Sequence, residues 1–91
     1  MILEIVTPEV TLYSGEVESV SVPGINGEFQ MLDNHAPVVS LLTTGSIKIY
    51  GNVELEEEVA DLFTKGNGTT DFAITGGVIE MKDNKAIVLA D

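Results

Sequence analysis

Few residues of this 91-residue chain have the types and spacing to do chemistry. The single histidine, His35, stands in "NGEFQMLDNHAPVV" (residues 26–39), beside Asp33 and Asn34 and ahead of Ala36 and Pro37. A histidine so placed is a candidate base, metal ligand or contact residue. A Ser-His-Asp machine needs a carboxylate to orient the ring and a nucleophile presented on a glycine-flanked elbow. Serines are present, but no such elbow is. Carboxylates concentrate in "VELEEEVADLF" (residues 53–63), at Glu54, Glu56, Glu57, Glu58 and Asp61. A calcium loop alternates its ligands and turns on a glycine, and this run does neither. "PGINGEF" and "TGG" carry glycines without the lysine and following helix of a phosphate-cradling loop. With no cysteine there is no disulfide, zinc thiolate or thiol nucleophile. The residues therefore point to no catalytic site, no cofactor and no metal, with His35 as a structural or contact histidine where a loop enters a strand.

The totals narrow the class further. Ninety-one residues make one domain, here expected to span 1–91, with a small core that buries roughly 60–65% of the unfolded surface. Hydrophobic residues are 44% of the chain and the mean hydropathy is positive, which argues for a folded protein despite 15 acids against 4 bases. The net charge of -11 repels phosphate backbones and anionic headgroups. Neither nucleic acid nor direct lipid binding is expected, and any place near a membrane must be held through a protein partner. No apolar run approaches the ~20 residues of a membrane span, and "MILEIVTPEV" lacks a basic leader, which predicts a cytoplasmic protein.

The elements that must position these residues alternate at period two. "ILEIV" sets Leu3 and Ile5 on one side, "VTLY" sets Val10 and Leu12 together, and "EVESVSV" alternates Val20 and Val22 with Ser21. "SIKIY" places Ile47 and Ile49 opposite Lys48, "DFAIT" joins Phe72 and Ile74, and "GVIEMK" and "KAIVLA" close the chain around the hairpin signal "KDNK". Short strands broken by frequent turn signals predict an all-β sandwich or barrel, each strand with one buried and one wet face. One stretch dissents: Leu55, Val59, Leu62 and Phe63 are spaced as on an amphipathic helix, so residues 53–63 read either as a short helix or as a hairpin insertion. On the helical alternative the acidic residues are its solvated face. The run Val38, Val39, Leu41, Leu42 holds more apolar residues than one buried face uses. Either all four are core, or the surplus lies outside and marks a partner site.

In order along the chain, "SGEVE" (14–18), "PGINGEF" (23–29), "MLDNHAP" (31–37), "GSIKI" (45–49), "FAITGGVIE" (72–80) and "NKAIVLAD" (84–91) resemble the N-terminal domain of the epsilon subunit of F-type ATP synthase. Gln30, Met31 and Asp33 depart from the family pattern, and residues 51–71 look like an insertion. The resemblance implies a two-layer β-sandwich of about ten short strands and a non-catalytic rotor subunit of the central stalk. Such a subunit links gamma to the polar loops of the c-ring and supports proton-driven ATP synthesis. By residue match, Asn26, Gly27 and Glu28 would meet the c-ring loops, and Thr7, His35, Ala36, Val39 and Ser40 would face gamma. The family's two inhibitory C-terminal helices have no counterpart in these residues. The implied place is the cytoplasmic face of a bacterial inner membrane, peripheral through the F1Fo complex, with a monomer in isolation. Two competing readings are a stand-alone acidic ligand- or metal-binding β-sandwich and a small hydrolase using His35.

Overall fold

A computed structural model describes residues 1–91. Ten strands follow one another: β1 (Ile2–Val6), β2 (Thr11–Glu16), β3 (Ser19–Gly24), β4 (Gly27–Met31), β5 (Val38–Leu42), β6 (Gly45–Tyr50), β7 (Phe63–Lys65), β8 (Thr69–Ile74), β9 (Gly77–Lys82) and β10 (Lys85–Ala90). They form one hydrogen-bonded path, β2-β1-β10-β9-β5-β3-β6-β8-β7, with β4 paired to the other side of β3. The β5–β3 link is a single residue pair, Gly24 with Leu42. There the path folds over, which divides it into layer I (β2-β1-β10-β9-β5) and layer II (β4-β3-β6-β8-β7). The expected all-β, two-layer sandwich of ten strands is the observed fold. β1 and β10 are the one parallel pair; the other ladders are antiparallel.

The core lies between the layers. Leu3 and Ile5 of β1, Ile79 and Met81 of β9, and Ala86 and Val88 of β10 point inward from layer I, while Val20, Val22, Met31, Ile47 and Ile49 meet them from layer II. Aliphatic side chains at alternate positions do this because successive Cβ atoms leave opposite faces of a strand. The "KDNK" connection is the hairpin it reads as: Lys82 pairs with Lys85, and Asp83 and Asn84 both take positive φ (52° and 60°), as a tight two-residue turn requires.

Three local readings change. Val10 is exposed, and the buried neighbours are instead Leu12 and Tyr13. The β1–β2 register slips there, with Ile5 opposite Tyr13 but Val6 opposite Thr11, so Leu12 is the extra residue of a bulge and two successive side chains turn inward. Ser19 and Ser21 are buried as well as Val20 and Val22, because β3 is flanked by β4 on one side and β6 on the other and Gln30 Nε2 donates to Ser19 Oγ at 2.9 Å. Residues 53–63 split between the two alternatives. Asn52 to Glu56 carry no regular structure, a single 3-10 turn spans Ala60–Leu62, and β7 then pairs with β8 as a hairpin. Val53, Leu55, Val59 and Phe63 pack on the core, but Leu62 is exposed. The turn has no side-chain cap, and a longer helix would set like charges four apart, Glu54 with Glu58 and Glu57 with Asp61.

Candidate docking face

The loop before β5 carries the histidine. His35, Ala36 and Pro37 are all exposed, and His35 Nδ1 lies 2.7 Å from the carbonyl oxygen of Ala36, its only side-chain hydrogen-bond partner. No hydroxyl or carboxylate orients the ring. Two ties hold the loop: the Asn34 N–H donates to Asn84 Oδ1 at 2.7 Å, and the α-amino group of Met1 donates to the Asp33 carboxylate. Asn34 takes a positive φ of 61°, a conformation that asparagine tolerates better than most residues. His35 thus sits at the hairpin end of layer I, beside the β9–β10 turn.

Asn26, Gly27 and Glu28 occupy the β3–β4 turn and the start of β4. Gly27 has φ 121° with nothing near a would-be Cβ, so its glycine serves the turn's backbone and not a close contact. Glu28 reaches back to Lys48 of β6 at 3.4 Å. The Ile25 N–H donates to the Leu41 carbonyl, which lays this tip against the end of β5. A cleft of about 390 Å³ is lined by Asn26, Gly27, Glu28, Val39 and Ser40, so residues of both expected contact sets meet there.

Strand parity separates two of the five residues matched to gamma. Val39 points out of layer I, 68% exposed, whereas Ser40 turns to the opposite side, opposite the inward Ile79. Thr7 follows Val6 at the far end of the layer, its N–H bonded to the Val10 carbonyl.

The outer face of layer I holds more than the sequence reading named. Register sets Leu41 beside Val78, Val78 beside Leu89 and Leu89 beside Val6, a continuous apolar row across four strands. The next row runs Val39, Glu80, Ile87, Glu4. Leu41 and Leu89 are 58% and 54% exposed. Of the four apolar residues at 38–42, Leu42 is core, Val38 is half-buried against the core, and Val39 and Leu41 lie outside. Covering one half-exposed leucine contributes about 1 kcal/mol, so Leu41 and Leu89 together offer about 2 kcal/mol to whatever covers the row. Val6, Val78, Ile87 and Leu89 were missed because only strand pairing assembles them. The available signal was that "GVIEMK" and "KAIVLA" carry apolar residues at both parities.

The acidic residues 54–58 stay solvated, and no three of the chain's His, Asp or Glu side chains converge as metal ligands. Burial, then the nearby Glu54 carboxylate, raises the Tyr13 hydroxyl above the usual tyrosine range.

The molecule is an all-β sandwich with an apolar row on the outer face of one layer. Residues 1–60 match the family described as "ATP synthase, Delta/Epsilon chain, beta-sandwich domain". The ATP synthase epsilon chain of Chlorobaculum tepidum is 38% identical over 98% of this chain and 86% of its own length. That of Leptospira borgpetersenii is 37% identical over 98% of this chain but 59% of its own length. Among solved structures, a chain of the Tetrahymena thermophila mitochondrial ATP synthase central stalk and c-ring shares the fold at TM-score 0.74 with 16% identity, covering 98% of this chain and 61% of that one. The chain belongs to the epsilon-chain family of ATP synthase. Its family is an accessory, non-catalytic one.

Proposed function

We propose that this chain is a rotor subunit that couples the stalk to the ring of an F1Fo ATP synthase. As one domain spanning residues 1–91, it presents the outer face of layer I, with Thr7, His35, Ala36 and Val39, to the gamma subunit. Its turn at Asn26, Gly27 and Glu28 rests on the polar loops of the c-ring, and Ser40 lies in the cleft between the two contacts. The working position is peripheral, on the cytoplasmic face of a bacterial inner membrane, and the chain alone is a monomer. The observation that carries this reading is the outward apolar row Leu41–Val78–Leu89–Val6, with both leucines exposed, on a chain of net charge -11. The names of the relatives and the central-stalk setting of the structural neighbour support it. Torque passes between rigid bodies through shape-matched contact, which a cross-braced sandwich supplies without any bond being made or broken.

Capture from detergent-solubilised membranes with a tagged copy tests the proposal. Co-purification of gamma and the c-ring is expected. Recovery of the tagged chain alone, from membranes that contain an assembled synthase, would contradict it.

A further inference from the structure

One carboxylate on the outer face of layer I makes no ion pair within the chain, although Lys82 and Lys85 share its face. Glu80 projects from β9 between Val39 of β5 and Ile87 of β10, and the next outward residues on its own strand are Val78 on one side and Lys82 on the other. It is exposed and belongs to none of the chain's ion pairs. The nearest lysines by register are Lys82 and Lys85, which oppose each other one step nearer the hairpin. Lys85 is already engaged with Glu4 at 3.5 Å. Along the four strands β5, β9, β10 and β1, the outward acids are only Glu4 and Glu80, so Glu80 is the one left without a partner.

A surface laid over Leu41, Val78, Leu89 and Val39 must also cover Glu80. An unpaired carboxylate taken out of water opposes docking, whereas the same group facing a cation favours it and fixes alignment. The apolar row cannot fix alignment alone, because hydrophobic contact is non-directional. Building on the docking-face reading above, we infer that the stalk partner sets an arginine or lysine against Glu80, and that this pair decides the register in which the two surfaces seat. A guanidinium fits best, being planar and weakly hydrated.

The test measures the Kd between this chain and the gamma subunit from the same genome by calorimetry, at low and at raised salt. Melting curves confirm that each surface variant is folded. Val78→Asp examines the face itself and should abolish measurable binding; wild-type binding by that variant would sink the docking-face reading and this inference with it. Glu80→Val examines the pair alone. It adds apolar area, so it should tighten binding if nothing cationic lies opposite. We expect it to weaken binding at least about tenfold and to lose most of the salt dependence, and Glu80→Lys to weaken it about a hundredfold. Glu80→Val binding as tightly as wild type, or more tightly, while Val78→Asp fails to bind, would overturn the pair and leave the face standing.

Discussion

The two outer faces of the sandwich are built on the same alternation and end differently. Layer II turns outward Gln30, Glu28, Ser46, Lys48, Asp71 and Thr69, with Tyr50 and Ala73 between them and Ser19 and Ser21 on the same side but covered. These groups satisfy one another: Gln30 with Ser19 at 2.9 Å, Lys48 with Glu28 at 3.4 Å and Thr69 with Asp71 at 2.6 Å. Layer I turns outward Leu41, Val78, Leu89, Val6, Val39 and Ile87, with the charged Glu4, Glu80, Lys82 and Lys85 towards the hairpin end. Both inner faces are apolar. A chain with 15 acids has polar residues to spare, so the apolar outer face of layer I is no consequence of composition or fold. A wet sheet face looks like layer II.

The sharpest way to break this contrast is to charge each face in turn. Leu41→Asp with Leu89→Asp should cut binding to gamma more than about a hundredfold with little change in melting temperature, since both side chains are largely exposed. Ala73→Asp, outward on layer II opposite Ser46, should leave affinity within about twofold. Equal losses from the two faces would dissolve the distinction.

A second prediction concerns what holds the apolar row together. At the start of β9, Gly77 lies so close to β10 that a Cβ there would meet the Leu89 carbonyl oxygen at 2.3 Å. Gly77→Ala must push β9 from β10 and should destabilise the fold by about 2–4 kcal/mol in urea denaturation. At Gly27 a Cβ meets nothing, so Gly27→Ala should lose about 1 kcal/mol from the positive φ alone. Similar losses at the two glycines would remove the argument that β9 and β10 need this close approach.

The third prediction lies on the boundary of the layers, where Tyr13 of β2 meets the acidic insertion. Its hydroxyl pKa is raised by burial and then by Glu54, so the folded state holds this proton more tightly than the unfolded chain. The associated stability is fully present below the ordinary tyrosine pKa and is lost as pH rises through that value towards the raised one. Urea midpoints should therefore fall in the alkaline range, and Tyr13→Phe should flatten that fall. Glu54→Gln should shift the titration of Tyr13, followed by its ultraviolet absorbance, back towards normal. The smallest effect is expected on layer II, where Lys48→Met should change stability by less than about 1 kcal/mol, the pair with Glu28 being partly exposed.

The sequence made the strands and most of the core legible, because Leu3 and Ile5, Val20 and Val22, and Ile47 and Ile49 alternate without competition. It hid the Leu12 bulge, since one extra residue flips parity and leaves no mark in composition. It also left residues 53–63 undecided: Leu55, Val59 and Phe63 fit the core at helical and at irregular spacing alike, and only the open edge they fill chooses between them. The candidate site was legible where it is local. Val39 and Leu41 stood out as surplus apolar residues, and the turn at Asn26 and Gly27 announced itself by residue type. Val78, Leu89 and Val6 become neighbours of Leu41 only through pairing between strands distant in the chain, which a single sequence does not display. Glu80 stayed unremarked for the same reason, since its isolation depends on what β5 and β10 place beside it.

The chain has no cysteine, so single thiols can report on each face in the assembled complex. Leu89→Cys and Ala73→Cys should react with a maleimide at similar rates in the free chain. With gamma bound, labelling at Leu89→Cys should slow by at least about tenfold while Ala73→Cys continues unchanged. Protection at position 73 with free labelling at position 89 would place the partner on the wrong layer and contradict the account.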